Sequence, residues 1–475
     1  MKVAMYVFND CTTDARVLRE AAALAGAGHA VTIVARRDHA GTPSREVRDG
    51  FEIVRLPIPP GPHLIWLFLR YPARARRQAG SRMTRSFRRG PRGLPAALGS
   101  VGIGLAALLW SALRVPVDWV VGGLVRAAGR SPTPGADLVE WLARWRWGTL
   151  GWARDAARIV PDADVHHGHD LSGLPAAVRA VAAHPGSQAI YDSHEIFLES
   201  RTNALRPRWV RRRFAAIEQA WIRRTAAIVT VNDALAEELG RRYATPRIVA
   251  VRNCSPRWTP PDVPEDRIRR AAAIDEDAPV ALYHGGFFAH RGLEQLAEAI
   301  LEPGLEGVHA VYLGYGSERE RLAQMAADQR YGGRLHVLGP VAPEEVVPWV
   351  AGADVEVMAI QPSTLNHRLS TPNKMFEALA AGTPVVASDF PEMRRILAED
   401  PSGALGELCD PTDPASVAGA IRAVISHSSE SSAALRARCL AAAHRRWNWE
   451  TEAGALLGLY DDLGRAGAET PVEVA

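Results

Sequence analysis

Short apolar runs alternate with segments of helical spacing along most of the chain. Residues 2–8 and 31–35 are typical of buried strands, and the segment DARVLREAAALAGAG between them spaces its apolar residues as one helix face does. Strand and helix patterns alternate again after residue 150, in ADVHH, LSGLPAAVRAVAA, QAIYD, RRRFAAIEQAWIRR, AAIVTV, ALAEELGRRY and RIVAVRN. Strands that alternate with helices predict a parallel sheet covered on both faces.

A second alternating region begins after a segment rich in proline and charge. Residues 254–277 lack periodicity, which is typical of a linker between domains. Beyond it PVALYHG, AVYLGYG, RLHVLGP, DVEVMAI and TPVVAS are typical of strands, and a helical pattern follows each of them. We therefore expect domains at 1–253 and 278–445. Two doubly wound domains in tandem leave a cleft at the carboxyl ends of their sheets, where such folds bind ligands.

The alternation breaks between residues 57 and 150. No acidic residue occurs between Glu52 and Asp118, whereas eleven arginines do. The uncharged stretch 93–113 is long enough to cross a bilayer, but its four glycines and one proline argue against a simple span. Two hypotheses stay open: residues 62–130 contact an anionic membrane peripherally, or they form a buried helical pair that extends the core. Nucleic-acid binding is disfavoured, because aromatic residues do not interleave with the arginines.

Composition and charge add limits on compartment and partners. The chain has 475 residues, 47% of them hydrophobic, which exceeds what one core usually supports and favours two domains. The net charge of +3 by itself predicts no polyanionic partner. The four cysteines lack metal-site or disulfide spacing, and the N-terminal residues lack the features of a signal peptide, so we expect a cytoplasmic protein.

The stretch STPNKMFEALAAGTPVVASDFPE, residues 370–392, predicts an anion site at a helix start. Pro372 at that start leaves the following amides, from Asn373 onward, free to bind a diphosphate. Lys374, one of only two lysines in the chain, adds a positive charge, and Glu377 can accept hydrogen bonds from a ribose diol one turn further on. The alternative is an ordinary capped helix with a surface lysine.

Another junction of strand, glycine-rich loop and helix occurs in HGGFFAHRGLEQL, residues 284–296. Gly285 and Gly286 allow a ligand to approach the backbone, and the guanidinium of Arg291 can hold a phosphate by two hydrogen bonds. A tight turn with a solvated arginine is the alternative. In LGYGSER, Arg319 replaces the third glycine of a dinucleotide-binding motif, which disfavours a nicotinamide cofactor.

Polar residues cluster at the ends of two neighbouring strands of the first domain. HHGHD ends in His169 and Asp170, and YDSHE ends in His194 and Glu195, so both groups point toward the cleft. No HExxH spacing supports a metal site, and we expect no metal. Hydrogen bonding to sugar hydroxyls is the favoured interpretation, with structural histidines as the alternative.

Taken together, these motifs resemble the GT-B retaining glycosyltransferases of family 4, in particular the branch with PNKxFE followed by AAGxPVV. The resemblance covers nearly the whole chain, including DARVLREAAALAGAGHAVTIVA, VHHGHD, YDSHE, GGFFAHRGLEQL and WNWE. It implies an α/β GT-B fold, in which two doubly wound Rossmann-like domains face a central cleft. It also implies that residues 446–475 cross back onto the first domain, while 57–150 form a basic, hydrophobic helical insertion.

The resemblance assigns roles to these positions. Arg291 and Lys374 would hold the donor diphosphate, and His169 would lie beside the reacting sugar. The remaining donor-binding residues would be Gly285, Gly286, Val341 at the base, Asn373 and Glu377 at the ribose, and the acceptor side would include Asp14, Asp170, His194 and Glu195. The implied reaction is metal-independent, retaining transfer from a UDP- or GDP-sugar to a lipid-linked or polysaccharide acceptor at the inner face of the plasma membrane.

Two departures from the family pattern keep other functions open. Leu369 occupies the position of a second glutamate that helps to hold the donor sugar in many members. The loop NDCTTDAR lacks a glycine pair that often contacts the phosphate, and Asn9, Thr12 or Asp14 would have to replace it. The alternatives are a nucleotide-sugar epimerase of the same architecture and a non-catalytic binding subunit.

Overall fold

The computed structural model describes residues 1–39, 41–59, 138, 141–200, 202–243, 247–261, 265–426 and 429–469. The predictions of a membrane contact through 62–130 and of an apolar segment at 93–113 fall outside these residues, as does most of the predicted helical insertion at 57–150. No helix in the described ranges combines the length and hydrophobicity needed to cross a membrane.

The first half of the chain forms an eight-stranded sheet. Its strands are β1 (Lys2–Val7), β2 (Ala30–Arg36), β3 (Arg45–Arg48), β4 (Phe51–Leu56), β5 (Val165–His169), β6 (Gln188–Ser193), β7 (Ala227–Thr230) and β8 (Ile248–Ala250). Their order is β3-β4-β2-β1-β5-β6-β7-β8, and every neighbouring pair is parallel except the β3–β4 hairpin. The sheet therefore brings the ends of β5 and β6 together, as the sequence predicts.

Helices cover this sheet on both faces. They are α1 (Ala15–Gly26), α2 (Leu150–Ala156), α3 (Asp170–Ala183), α4 (Arg208–Ile222) and α5 (Asp233–Arg242), with a π-helical turn at Arg144–Thr149 and a 3-10 turn at Phe197–Glu199. Asp14 caps α1 by accepting a hydrogen bond from Val17 N at 3.4 Å. Such a cap typically stabilises a helix by about 1 kcal/mol.

The second half forms a separate, fully parallel sheet of six strands. Its strands are β9 (Val280–Gly286), β10 (His309–Tyr315), β11 (Leu335–Leu338), β12 (Val355–Met358), β13 (Val385–Ser388) and β14 (Gly406–Cys409), in the order β11-β10-β9-β12-β13-β14. Strand order reverses between β9 and β12, and a crevice opens at the carboxyl ends of strands at such a point. The predicted α/β class with two doubly wound sheets is confirmed.

Helices also surround the second sheet. They are α6 (Arg267–Ala272), α7 (Leu293–Ala299), α8 (Arg319–Ala326), α9 (Val346–Val350), α10 (Leu365–Leu369), α11 (Asn373–Ala380), α12 (Pro391–Leu397), α13 (Pro414–Ile425) and α14 (Ser429–Arg445). A further helix, α15 (Trp449–Glu469), follows them in sequence. Short 3-10 turns lie at Gln329–Tyr331 and Pro343–Glu345. Within the expected linker, α6 buries Ile268 in the core of the second half.

The last helix, α15, packs against the first sheet although it follows the second in sequence. Leu456, Leu459, Tyr460 and Leu463 join one buried apolar cluster with residues of β1 and α1. Burying each large apolar side chain stabilises the folded state by about 1.5–3 kcal/mol. This contact ties the end of the chain to its beginning.

Candidate active site

A cavity of about 550 Å³ opens at the carboxyl ends of β9 and β12. Six residues that the sequence assigns to a donor line it: Gly285, Gly286, Arg291, Asn373, Lys374 and Glu377. The other lining residues are Tyr283, His284, Phe288, Tyr315, Met358, Ile360, Ser370, Thr371 and Pro372. The structure thus brings the predicted cationic and glycine positions into one pocket.

Glycines at the end of β9 give this pocket its backbone wall. Gly285 has a φ of +104°, and a Cβ there would lie 3.6 Å from Lys374 Nζ. Gly314, on the neighbouring strand β10, approaches so closely that a Cβ would lie 2.0 Å from the Gly285 carbonyl oxygen. Gly314 therefore serves strand packing beneath the pocket, and larger side chains at either position would distort the wall.

Lys374 is a shielded cation without a hydrogen-bonding partner. Its Nζ is buried, lies 3.3 Å from the centroid of the Tyr283 ring, and forms no hydrogen bond to any described residue. Burial lowers the pKa of Lys374, Glu356 and Glu377 oppose the shift, and the charge of Arg291 adds to it, so that the pKa comes to about 7. An anion in the cavity would supply the missing partner and restore the charged form.

Glu377 is held in place by a buried histidine. His284 Nε2 donates a hydrogen bond to Glu377 Oε2 at 2.7 Å, and His284 Nδ1 lies 3.0 Å from Glu356 Oε2. Burial opposes protonation, but the two carboxylates raise the pKa of His284 to about 9. The imidazolium in turn lowers the pKa of Glu377 against the effect of its own burial. Glu377 is therefore an oriented carboxylate at neutral pH.

Arg291 lies in a strained loop between β9 and α7. The preceding residue, His290, has a φ of +68°, and Gly292, with a φ of +80°, approaches Ala359 so closely that a Cβ would lie 2.3 Å from its carbonyl oxygen. No hydrogen bond or ion pair to a described residue holds the Arg291 guanidinium. The loop thus fixes the backbone and leaves the cation available to a ligand.

The start of α11 completes this cationic wall. Pro372 is its N-cap, with φ −70° and ψ 138°, and no side chain caps the helix. Because the first amides of a helix lack internal partners and carry partial positive charge, this end attracts an anion. The prediction of an uncapped helix start at Pro372 is confirmed.

A closed network of charges lies at the edge of the first sheet that faces the cleft, which is formed by the carboxyl ends of its parallel strands. The guanidinium of Arg16 donates to both oxygens of Asp192, at 3.0 and 2.9 Å, and to the Val251 carbonyl. His169, fully buried, donates from Nδ1 to Asp192 Oδ2 at 3.1 Å. Arg16 and His194 hold the pKa of Asp192 well below its usual range despite its burial. The ring of His169 is therefore fixed in orientation, and its Nε2 has no partner among the described residues.

His194 and Asp170 extend this network toward the cleft. His194 Nε2 lies 3.1 Å from Asp192 Oδ2, and its Nδ1 lies 3.5 Å from Asp170 Oδ2. Burial opposes protonation, but the charges of Asp170 and Asp192 raise the pKa of His194 to about 10. Asp170 has a φ of +54°, an unfavourable conformation for aspartate that strengthens the case for a functional role. None of these residues lines the donor cavity itself.

Four buried side chains in this region have the donor atoms of a metal site. Ligand atoms of Glu20, His167, His169 and Asp192 lie within 4.8 Å of one another. Arg16 already contacts two of the carboxylates, at 2.9 Å to Asp192 and 3.1 Å to Glu20. Its guanidinium provides the positive charge that a cation would otherwise supply, and burial raises the pKa of Glu20 to about 8.

Asn366 joins the two edges and was not anticipated from the sequence. This α10 residue accepts a hydrogen bond from Ile196 N at 3.0 Å and donates to Glu195 Oε2 at 3.1 Å. Arg291 lowers the pKa of Glu195 across the cleft, although burial of the carboxyl raises it overall. Glu195 therefore lies within electrostatic reach of Arg291, although it does not line the cavity.

Arg19, His284 and Glu356 are further candidates that sequence reasoning missed. Arg19 Nη1 donates to Asn253 Oδ1 at 3.1 Å and to the Cys254 carbonyl at 2.8 Å, and its charge acts on Glu377. His284 and Glu356 interrupt buried strands, and an ionisable residue inside such a strand signals a buried pair.

Two predicted positions lie elsewhere. Val341 follows β11, packs partly against the core of the second half, and does not line the cavity. Asp14 accepts a hydrogen bond from Asn9 Nδ2 at 2.8 Å in addition to capping α1.

Leu369, which departs from the family pattern, packs with the apolar cluster of the first half, and its carbonyl accepts a hydrogen bond from Asn232 at 2.8 Å.

Comparison with known proteins gives this geometry a context. Residues 278–427, which include the whole cavity, match the family model of Glycosyl transferases group 1. The chain is 32% identical over 212 residues to D-inositol 3-phosphate glycosyltransferase of Xylanimonas cellulosilytica, an alignment that covers 43% of the chain and 48% of that protein. The chain thus spans about half the length of this curated relative.

Solved structures show the same fold over almost the full length. Sucrose-phosphate synthase from Thermosynechococcus elongatus aligns with a TM-score of 0.63 at 17% identity, covering 98% of the chain and 100% of that structure. Anabaena HepE in complex with UDP-glucose aligns with a TM-score of 0.59 at 13% identity, covering 97% and 100%. The chain has the GT-B fold of two facing Rossmann-like domains, as expected.

Proposed function

We propose that the protein transfers a sugar from a nucleotide diphosphate sugar, a UDP- or GDP-sugar, to a lipid-linked or polysaccharide acceptor. One observation carries the proposal: Lys374 and Arg291, both without an anionic partner among the described residues, meet the uncapped start of α11 in one cavity. This arrangement fits a diphosphate, and Glu377 is oriented to accept hydrogen bonds from a ribose. The match to a glycosyltransferase family over the same residues supports it.

The proposed reaction retains the anomeric configuration and needs no metal. The bond between the sugar C1 and the diphosphate oxygen breaks, and a bond from the acceptor oxygen to C1 forms on the same face. The acceptor proton passes to the departing phosphate. Lys374, Arg291 and the α11 amides stabilise the charge that develops on the diphosphate, which typically contributes about 3–4 kcal/mol per donor group. His169 and Glu195 position the sugar and the acceptor.

The two halves divide this work. We propose that residues 1–253 form the acceptor-side domain, that 254–277 link it to the donor domain at 278–445, and that 446–475 cross back. Asp14, Asp170 and His194 belong to the acceptor side, and the backbone near Val341 faces the base once the donor is bound. The proposed location is the cytoplasm, at the inner face of the plasma membrane, with a peripheral contact to anionic lipid through residues 62–130.

A panel of nucleotide sugars tests the donor assignment. A ligand that binds only the folded state at about one hundred times its dissociation constant stabilises it by about 2.7 kcal/mol, which a thermal melt detects. The stabilising donor is then incubated with lipid-linked and polysaccharide acceptors, with and without a chelator. We expect transfer that survives the chelator; transfer that is lost and then restored by a divalent ion would contradict the metal-free mechanism.

Two substitutions test the site itself. Arg291→Ala and Lys374→Ala should each lower transfer by roughly two to three orders of magnitude. Arg330→Ala, which removes an exposed arginine paired with Glu298 away from the cavity, is the matched control and should transfer normally. Near-normal rates in both site variants would remove the diphosphate assignment. Product formed from the donor alone would indicate an epimerase, and donor binding without turnover would indicate a binding subunit.

A further inference from the structure

The first turn of α4 and the segment before it expose two large apolar side chains. Leu205 is 86% exposed and Trp209 is 62% exposed. Single exposed apolar residues are common on protein surfaces, but these two lie four positions apart and flank Pro207, the N-cap of α4. Their backbone is anchored from beneath, because Val210 and Phe214 are buried in the core of the first half.

Arginines surround these apolar residues without acidic neighbours in sequence. Between Glu199 and Glu218 the chain has no acidic residue. Arg208, Arg212 and Arg213 are exposed and form no ion pair with a described residue. Leu205, Arg208, Trp209, Arg212 and Arg213 together are called the α4 patch. It combines unneutralised positive charge with exposed apolar surface.

The α4 patch lies beside the cleft. β6 ends at Ser193 on the acceptor side, and the chain passes through Glu195 and the 3-10 turn Phe197–Glu199 before it enters α4. Glu199 accepts a hydrogen bond from Arg211 of α4 at 2.8 Å, which fixes this helix start against the turn. The other end of α4 leads into the amino end of β7, the parallel neighbour of β6, and so lies away from the carboxyl ends of the strands.

The described chain continues from residue 141, where Trp141 lies against the same helix. Trp141 packs on Phe214 of α4, with ring centroids 4.6 Å apart, and Arg206 stacks over Trp141 at 5.1 Å. Trp141, which follows the arginine-rich part of the sequence, therefore contacts α4 and Arg206 next to the patch.

We propose that the α4 patch docks on an anionic lipid bilayer, so that the acceptor reaches the cleft from the membrane surface. Tryptophan favours the boundary between headgroups and acyl chains, and arginines beside it are attracted to anionic lipids. Delivery of the acceptor to the cleft rests on the proposed glycosyl transfer, whereas docking on the bilayer does not. The contact is distinct from the one proposed for residues 62–130.

Sedimentation of the full chain with lipid vesicles tests this docking. Vesicles of phosphatidylcholine alone are compared with vesicles that contain roughly a third phosphatidylglycerol, at about 0.1 M salt. The double variant Arg212→Gln/Arg213→Gln should lower the partition coefficient on anionic vesicles by about tenfold or more. The matched control Arg223→Gln/Arg224→Gln removes the same charge from the other end of α4 and should remain within about twofold of the parent.

An apolar pair of variants separates insertion from simple charge attraction. Trp209→Ser should lower partitioning by about tenfold, while Val47→Ser, which removes an 80% exposed side chain at the opposite sheet edge, should have no effect. Thermal melts with and without the nucleotide-sugar donor verify that each variant folds and keeps its donor site. The donor should stabilise all variants equally.

Each outcome decides the docking proposal separately from the proposed function. Equal losses in the patch pair and the control pair, no partitioning by the parent, or partitioning that depends on residues 62–130 alone would overturn the docking. Self-association of the parent that the patch variants abolish would identify a second copy as the occupant instead. Failure of every nucleotide sugar to stabilise the parent would count against glycosyl transfer and leave the vesicle result standing.

Discussion

The two edges of the cleft hold their charged side chains in opposite ways. On the second sheet, Lys374 and Arg291 have no anionic partner among the residues that the structure describes, and glycines keep the space around them open. On the first sheet, Arg16 pairs with Asp192 and Glu20, and Asp192 also accepts hydrogen bonds from two histidines. One edge is therefore an open cationic pocket, and the other is a closed network.

This difference fits the proposed division of roles between the two edges. A pocket that binds a diphosphate must keep its cations unpaired until the ligand arrives, which destabilises the free protein. An edge that positions sugar hydroxyls needs fixed ring orientations, and paired charges provide them. The low pKa of Lys374 and the low pKa of Asp192 are the two signatures: the first marks a charge without a partner, and the second marks a charge with several.

The largest effect is expected on stability, at the closed edge. Asp192→Ala removes the shared partner of Arg16, His169 and His194 and leaves a buried guanidinium short of an anion. We expect the free energy of unfolding to fall by about 3–5 kcal/mol, measured by urea denaturation.

The control for this loss is an exposed ion pair of the same half. Asp162→Ala breaks the pair between Lys2 and Asp162, whose side chains are 41% and 69% exposed, and should leave the free energy of unfolding nearly unchanged. If the two variants were equally stable, the closed network would not hold the first edge together.

At the open edge, a substitution should lower activity without lowering the free energy of unfolding. Lys374→Met should lower transfer by roughly two to three orders of magnitude, because the diphosphate loses a fixed cation. The free energy of unfolding at pH 7 should nevertheless match or exceed that of the parent, since the variant no longer buries a cation without a partner. A clear loss of stability in this variant would show that Lys374 is structurally paired and would break the comparison.

The pH dependence of that stability difference has a definite direction. The pKa of Lys374 is lowered to about 7 in the folded protein, so folding is disfavoured at every pH below the usual lysine pKa. The penalty is complete below about pH 7 and disappears as the pH rises toward the unfolded value near 10.5. The stabilities of Lys374→Met and parent should therefore converge on raising the pH.

Sequence reasoning located the open edge better than the closed one. Most residues of the donor cavity come from two short local patterns, HGGFFAHRG and STPNKMFE, whose glycines, proline and lysine have meaning at fixed offsets. The closed network depends on a bond between Arg16 and Asp192, which are 176 positions apart. No spacing rule connects such residues; only the order of the strands does.

Other features were missed although a local signal existed. The β3–β4 hairpin turns at Asp49 and Gly50, both with positive φ, and an Asp-Gly pair between strands is typical of such a turn. His284 and Glu356 lie inside apolar strands, where a charged residue requires a partner, but the identity of that partner follows from tertiary packing. For Val341 no local pattern marked the position; its role at the base came from resemblance alone and stays a prediction.

Donor affinity should depend on pH through Lys374. The diphosphate of a nucleotide sugar has no proton to lose near neutrality, so a rise in the Lys374 pKa on binding draws a proton from solution. Above about pH 7 the dissociation constant of the donor should rise by up to about tenfold per pH unit, and below it the constant should be level. Isothermal titration in buffers of different ionisation enthalpy measures the proton uptake. Lys374→Arg stays charged throughout and should bind with no pH dependence in this range.

The smallest expected effect concerns how Glu377 is held. His284→Gln keeps a hydrogen-bond donor near Glu377 but removes the positive charge between Glu377 and Glu356. The donor dissociation constant should rise by about five- to tenfold with little change in kcat, because a charged hydrogen bond contributes about 1.5–3 kcal/mol and glutamine restores part of it.

A second substitution separates orientation of Glu377 from general damage. In His284→Gln, the Glu356 carboxylate loses the positive charge of the imidazolium. The double variant His284→Gln/Glu356→Gln removes that carboxylate and should therefore bind the donor more tightly than His284→Gln alone. The pKa of His284, about 9, predicts that the parent loses its imidazolium above that pH, where its donor affinity should approach that of His284→Gln. Two results together would contradict this role: the double variant binds the donor no better than His284→Gln, and the donor affinities of the parent and of His284→Gln depend on pH in the same way. His284 would then contribute only packing at the open edge, and its charge would not help to hold Glu377.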